Sequence, residues 1–188
     1  MKQRAILAVI LMICGAAMAT DPSESGVPTS PLAIYSGGIG IGVIQSINRE
    51  LKLESRNFFK LSFINDIYLT DRKHLFIDVD WMAPGANFGT DIGFDYSLST
   101  SRFRPFVGAG VGIRLFDKKG YSFGDNFGPS ATLHAGAIIE LSKTVQLRMR
   151  LPFHAALNET HDGGAGLDIG LLFSKPYRHV KQLHYNQD

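Results

Sequence analysis

The sequence predicts an all-β protein, an eight-stranded antiparallel up-and-down transmembrane β-barrel. Between residues 32 and 173, apolar side chains alternate with glycine, polar or charged ones in eight runs, and this period of two is typical of strands with two unlike faces. The links between runs are alternately short and longer, as expected for a barrel with turns at one end and loops at the other. Most runs are close to the length of about 9–11 residues with which a tilted strand spans a membrane.

The first four runs each have one apolar parity, and we expect it to face lipid. Their other parity, which includes Lys60 and Asp78, is predicted to point into the barrel. The apolar residues are Tyr35, Ile39, Ile41 and Val43 in run 33–45; Phe59, Leu61, Phe63, Ile67 and Leu69 in run 58–69; Leu75, Ile77, Val79 and Trp81 in run 74–82; and Phe88, Ile92, Phe94, Tyr96 and Leu98 in run 88–98.

The last four runs repeat this pattern, with glycine, arginine and histidine on the inward parity. On this assignment, Val111→Arg should impair folding, whereas Gly112→Ser should be tolerated. The apolar residues are Phe103, Val107, Ala109, Val111, Ile113 and Leu115 in run 103–116; Ala131, Leu133, Ala135, Ala137, Ile139 and Leu141 in run 130–141; Val145, Leu147, Met149, Leu151 and Phe153 in run 145–155; and Ala165, Leu167, Ile169, Leu171 and Phe173 in run 165–173.

The connections separate the two ends of the predicted barrel. Short links cover 70–73, 99–102 and 142–144, and longer ones cover 46–57, 117–128 and 156–164. A soluble β-sandwich, or a soluble exported lipid-binding barrel of the lipocalin type, would show the same alternation with its apolar side inward. Three observations favour the membrane barrel. The apolar face has few polar interruptions, aromatic residues lie near strand ends, and the opposite face is charged and rich in glycine.

The first nineteen residues have the features of a secretory signal peptide. Lys2 and Arg4 precede 15 uncharged residues, and the segment ends in the small-x-small pattern Ala17-Met18-Ala19. An uncleaved anchor is the alternative, although a helix needs about 20 residues to span a bilayer. Cys14 also allows a lipoprotein signal, but Ile13 stands where a small residue is expected. Cleavage after Ala19 would leave a chain without cysteine.

The predicted domains are therefore a signal peptide (1–19), a polar leader (20–31), an outer-membrane β-barrel (32–173) and a polar C-terminal tail (174–188). The tail is either a disordered end or a segment that contacts anionic lipid or peptidoglycan. Without Lys2 and Arg4, 17 basic residues face 17 acidic ones, so no basic field favours nucleic acid. The expected partners are outer-membrane lipid and lipopolysaccharide, with barrel-assembly machinery during folding, and a monomer is favoured.

The interior of an eight-stranded barrel is just wide enough to be filled by side chains. Because buried charges are costly unless they are paired, we expect an interior ion network. Lys60 and Asp168 point inward with its members, and His134 and His154 lie nearby. A plugged barrel follows, and a small porin-like pore is the alternative. No cofactor is indicated, and no metal, because the histidine spacing fits no zinc pattern. The network members are Asp66, Asp78, Asp80, Asp91, Asp95, Arg104, Arg114, Glu140, Arg148 and Arg150.

Two segments resemble known families. The stretch FRPFVGAGVGIRLF (103–116) is similar to the signature strand of small outer-membrane β-barrel domains of the OmpA-like type. The segment GLDIGLLF, which ends at Phe173, resembles the C-terminal assembly signal of such proteins, although members usually stop at that aromatic residue and this chain continues to Asp188. The resemblance implies a location in the outer membrane of a Gram-negative bacterium more than an activity. The function we expect is a structural or surface-interaction role, with loops exposed outside.

Residues 103–176 also resemble the C-terminal half of the lipid A 3-O-deacylase family. That family carries a His-x-Ser pair on its seventh strand and an acidic residue twelve positions beyond the serine. In this sequence His154 would be the base and Asp168 its orienting partner, but the position of the nucleophile is Ala156. Alanine has no hydroxyl group, and parity turns His154 inward unless Pro152 introduces a bulge. Ser130, Thr132 and Thr160 are alternative nucleophiles that no spacing favours.

Overall fold

The computed structural model describes residues 35–47, 56–85, 87–116, 122–157 and 162–174. The predicted signal peptide, the polar leader and the tail beyond Ser174 lie outside these residues. The described residues form eight strands: β1 (Tyr35–Ser46), β2 (Asn57–Tyr68), β3 (Lys73–Ala83), β4 (Asn87–Ser97), β5 (Phe103–Leu115), β6 (Phe127–Glu140), β7 (Val145–Ala156) and β8 (Gly163–Ser174).

The eight strands form one closed antiparallel barrel in which each strand pairs with its neighbours in sequence and β1 pairs with β8. The predicted fold class is therefore confirmed. The turn end carries the three short turns 69–72, 98–102 and 141–144, and the loop end carries the other connections. One of those, 84–86, is only three residues long, so the loop end is not uniformly long.

The register fixes the size of the barrel. A path that starts at Ser36 of β1 and moves from each residue to its partner on the next strand returns to β1 at Ser46. The strands of the barrel are therefore staggered by ten residues in total. With standard strand spacings, this stagger corresponds to a tilt of about 40° and a backbone radius of about 8 Å. Strands of 11 to 14 residues then rise about 30 Å, enough for the apolar band of about 25 Å of a membrane barrel.

The two faces of the sheet differ as the alternation predicts. The outward residues are almost all apolar, and many large ones are exposed, among them Ile41, Phe94, Val111 and Phe173. Asn65 is an outward polar residue, and its side-chain oxygen accepts a hydrogen bond of 2.6 Å from the Tyr35 hydroxyl. A soluble monomer rarely exposes an apolar surface of this extent.

The interior is closed by different groups at its two ends. At the loop end, Ile44, Phe58, Met82 and Phe116 form a buried apolar cluster, which we call the apolar plug. The alternation predicts a polar inward face, so these four inward apolar residues were not expected there. At the turn end, the Tyr68 hydroxyl of β2 donates across the interior to Gln146 of β7 at 3.1 Å, and the hydroxyls of the paired residues Ser36 and Ser174 lie 2.7 Å apart.

Strand boundaries differ from the expectation mainly in β6. That strand begins at Phe127, three residues before the predicted start, and pairs with β5 through Gly128 and Pro129. Glycine and proline hide the alternation there. A single helical turn, α1 (Phe123–Asn126), precedes β6. Within the residues that the structure describes, no helix is long and apolar enough to cross a membrane.

Candidate functional site

The candidate site is the cluster of charged side chains in the middle of the barrel, which we call the interior ion network. Arg148 on β7 lies at its centre, with guanidinium nitrogens 3.0 Å from Asp66, 3.6 Å from Asp78 and 3.4 Å from Asp95. Arg150, two residues further along the same face of β7, contacts Asp78 and lies 3.1 Å from Asp168. One strand therefore supplies two arginines that bind carboxylates from β2, β3, β4 and β8.

The network continues toward the loop end through Lys60 and Arg114. The Lys60 ammonium lies 3.0 Å from Asp80 and 2.8 Å from Asp168. Arg114 contacts Asp91 and lies 3.5 Å from Asp80. All of these side chains are buried, so each charge depends on its partners in place of water.

Three histidines join the network with different geometries. Asp95 lies 3.0 Å from Nε2 of His74 and 2.5 Å from Nε2 of His134. An ionised carboxylate only accepts hydrogen bonds, so both Nε2 atoms carry a hydrogen when Asp95 is ionised. His154 differs, because its Nδ1 lies 2.8 Å from Nη2 of Arg114, which can only donate. His154 is therefore an acceptor at Nδ1.

Aromatic rings and glycines shape the space around these charges. The Arg148 guanidinium lies 5.6 Å from the ring centroid of Phe106, and that of Arg150 lies 6.0 Å from Phe76, within the range of cation–π contacts. A Cβ at Gly89 would lie 2.6 Å from Nη1 of Arg114. Glycine at this position therefore leaves the room that the arginine side chain occupies.

Not all predicted members belong to one network. Arg104 lies 2.8 Å from Glu140, and Glu140 is partly exposed at the turn end. No hydrogen bond or ion pair joins this pair to the other eight members among the described residues. Lys60 and Asp168 were expected on the inward face, and His134 and His154 nearby. His74 was not singled out, although its inward parity on β3, shared with Asp78 and Asp80, was a sufficient signal.

The residues matched to the deacylase family do not form a catalytic arrangement. His154 accepts from Arg114, whereas Asp168 binds Lys60 and Arg150. The register between β6 and β7 is continuous across Pro152, so no bulge turns His154 outward. Ala156, at the position of the nucleophile, is itself buried and pairs with Ser130.

The alternative nucleophiles do not complete that arrangement. The Thr132 hydroxyl lies 3.4 Å from the backbone oxygen of Phe153, and the Ser130 hydroxyl has no hydrogen-bond partner. Thr160 lies outside the described residues. Among the described residues, no hydroxyl group is therefore hydrogen-bonded to His154.

One set of side chains has the spacing of metal ligands. Asp80, Asp91 and His154 each offer a ligand atom, and these atoms lie within 4.8 Å of one another. The Arg114 guanidinium contacts all three residues, and Lys60 lies against Asp80. Two protein cations therefore already supply the positive charge that a metal ion would bring, and the donor set does not fit a metal.

Comparisons with known proteins agree with this fold. No protein-family model and no curated protein matches the chain. Among solved structures, the N-terminal β-barrel domain of Pseudomonas aeruginosa OprF is similar, at 20% identity and a TM-score of 0.53 over 73% of this chain and 97% of that chain. Neisserial surface protein A (NspA) is similar at 14% identity and a TM-score of 0.59, over 75% of this chain and 97% of that one.

The outer membrane enzyme PagL is also matched, at 13% identity and a TM-score of 0.48, over 73% of this chain and 99% of that one. The matches above 0.5 show the fold alone. The chain thus has the fold of the small eight-stranded outer-membrane β-barrels.

Proposed function

We propose that this protein is exported through a cleaved signal peptide and inserted into the outer membrane of a Gram-negative bacterium, where it is a plugged barrel with a structural or surface-interaction role. The observation that carries the proposal is the inversion of the usual arrangement: the apolar face of a closed barrel points outward and the charged face points inward. Lipid is the solvent that fits such an outer face.

The aromatic residues support the same orientation. Phe59, Trp81 and Phe88 lie outward near the loop end, and Tyr35 and Phe173 lie outward near the turn end. Aromatic girdles of this kind are typical of the two membrane–water interfaces. In such barrels the short turns face the periplasm and the loops face outside.

A plugged interior is supported by the two closures already described. The interior ion network fills the middle of the barrel, and the apolar plug lies between it and the loops. The small porin-like pore therefore has less support than a barrel that does not conduct.

Because the interior is filled and the outer face contacts lipid, we assign the surface interaction to the loops. NspA, which shares the fold, is by its name a surface protein, and the same role for this chain is part of our proposal. Lipopolysaccharide is the partner expected next to the loop end, and the barrel-assembly machinery is the partner expected during folding.

Two measurements test the proposal. The folded chain in mild detergent should migrate differently on gels before and after boiling, and the same preparation should give no steady conductance in planar bilayers. Identical migration would contradict the membrane barrel, and stable ion conductance would contradict the plugged interior.

Lipid A deacylation is the alternative activity, and no contact in the site favours it. We expect lipid A from cells that express the folded protein to match lipid A from empty-vector cells in its mass spectrum. The loss of an acyl chain that disappears with His154→Ala would establish an enzyme and overturn this expectation.

A further inference from the structure

A groove lies on the outer face of the barrel between β4 and β5, close to the turn end. Its volume is about 580 Å³, and Phe94, Tyr96, Val107 and Ala109 line it with outward side chains. Gly108 and Asp95 also line it, but the Asp95 side chain is buried in the interior. The small side chain of Ala109 lies opposite Phe94 in the register, which lowers the surface at this point. The groove is therefore an apolar depression on the surface that we propose contacts lipid.

Lys73 gives this apolar groove a cationic end. It is the first residue of β3, pairs with Tyr96 in the register and is exposed. No ion pair to Lys73 occurs within the described part of the chain. The backbone amide of Lys73 donates to the Thr70 hydroxyl at 3.0 Å, and the amide of Ser97 donates to the Arg72 carbonyl at 2.7 Å. The turn that precedes the lysine is thus fixed against the end of β4.

All three short turns share one pattern. Each begins with an exposed leucine, followed by a hydroxyl residue whose oxygen accepts a backbone hydrogen bond within the turn. Each turn, or the strand residue directly after it, also supplies an exposed basic residue. The leucines are Leu69, Leu98 and Leu141, the hydroxyl residues are Thr70, Ser99 and Ser142, and the basic residues are Arg72, Lys73, Arg102 and Lys143.

This repetition matches the chemistry of a membrane boundary. Leucines fit the edge of the apolar region, and basic side chains reach the level of lipid headgroups. Negatively charged headgroups attract such basic residues. Of these four basic residues, all within the described part of the chain, only Lys73 also lines the groove.

We propose that the groove binds a phospholipid with a net negative headgroup. One acyl chain would lie along Phe94, Val107 and Ala109, and the headgroup phosphate would pair with Lys73. A compact ammonium group binds phosphate as a point charge. The proposal rests on the membrane insertion proposed above. It commits to a phospholipid because the turn end faces the periplasmic leaflet, whereas lipopolysaccharide belongs to the outer leaflet.

The test is native mass spectrometry of the folded full chain in nonionic detergent, after addition of equal amounts of dioleoylphosphatidylglycerol or dioleoylphosphatidylcholine. We expect the glycerol lipid to be retained about fivefold more, the factor expected for one basic residue near a charged headgroup. Lys73→Gln should remove this preference. Lys143→Gln, a matched change in another turn, should leave it intact.

A second pair of variants tests the groove itself. Ala109→Leu fills the groove and should lower retention of both lipids, whereas Ala131→Leu, on the outer face of β6, should not. Equal retention of the two lipids by the unsubstituted chain, or equal effects of Lys73→Gln and Lys143→Gln, would overturn the site. Failure of the unsubstituted chain to shift on gels after boiling would instead overturn the membrane insertion, so the two failures are distinguishable.

Discussion

At the scale of single residues, Asp95 shows how the interior is held together. Its carboxylate comes from β4 and receives contacts from His74 on β3, His134 on β6 and Arg148 on β7. Four strands therefore meet at one buried carboxylate. A change to any of these groups leaves a polar partner without its contact in a place that is closed to bulk water.

Arg148 is the side chain whose loss should matter most. Arg148→Ala removes the contacts to Asp66, Asp78 and Asp95 together, and loss of one partner of a buried ion pair costs about 3–5 kcal/mol. We expect the free energy of unfolding, measured by urea titration in lipid vesicles, to fall by that amount. Arg72→Ala, at an exposed turn residue, is the control and should change it little. Equal unfolding midpoints for the two variants would contradict a structural network.

Gly112 corrects an expectation drawn from parity alone. An inward position was expected to tolerate serine, but a Cβ at Gly112 would lie 2.6 Å from Oδ1 of Asp91 and closer still to the backbone oxygen of Thr90. The expectation of tolerance is therefore wrong on steric grounds. Overpacking of this kind costs about 1–3 kcal/mol, and Gly112→Ser should lower the free energy of unfolding accordingly. Gly163→Ser is the comparison and should lower it less, because Gly163 is the first residue of β8 and the nearest atom to a Cβ there, the His154 backbone oxygen, is 3.3 Å away.

At the scale of the element, β5 shows what the two faces of one strand do. Val111 is 63% exposed on the outer face, and an arginine near the middle of a membrane costs about 2–4 kcal/mol. Val111→Arg should therefore impair folding into vesicles, measured as the fraction of protein that shifts on unboiled gels. Leu157→Arg, just beyond the end of β7 at a residue that is 67% exposed, should fold nearly as well as the unsubstituted chain. Equal folding yields would mean that Val111 does not face lipid.

Most elements could be predicted from the sequence because a period of two fixes which side chains share a face. The alternation failed where inward positions are apolar, as at Phe58, Phe76 and Met82, since a residue type does not reveal its face when both faces are apolar. It also failed at the start of β6, where Gly128 and Pro129 interrupt the pattern.

At the scale of the whole molecule, the partners within the network could not be predicted. Parity shows that Lys60 and Asp168 point inward, but not that they lie at the same height. Their height depends on the stagger of ten residues around the barrel, and no single strand encodes that quantity. Arg104 and Glu140 are a second example in which the face does not reveal the partner. Both have inward parity, yet they pair with each other and not with the rest of the network.

The domain organisation gives a further prediction for the whole chain. Cleavage after Ala19 would remove Cys14, the one cysteine in the sequence. The protein purified from outer membranes should therefore begin at Thr20 by intact mass, and it should not react with a maleimide reagent. A chain that retains residues 1–19, or one that is acylated at Cys14, would contradict the cleaved signal peptide and support the anchor or the lipoprotein.

The contact between Lys60 and Asp168 joins residues 108 positions apart, and that between Arg148 and Asp66 joins residues 82 positions apart. During the export that we propose, such contacts cannot form until both partners have entered the periplasm. The charged side chains meanwhile remain hydrated, and every strand except β1 carries at least one. The strand β1 is only 12 residues long, short of the about 20 apolar residues with which a helix spans a membrane. On the proposed route to the outer membrane, the residues that neutralise one another after β8 has joined β1 would thus also keep the chain from stopping in the inner membrane.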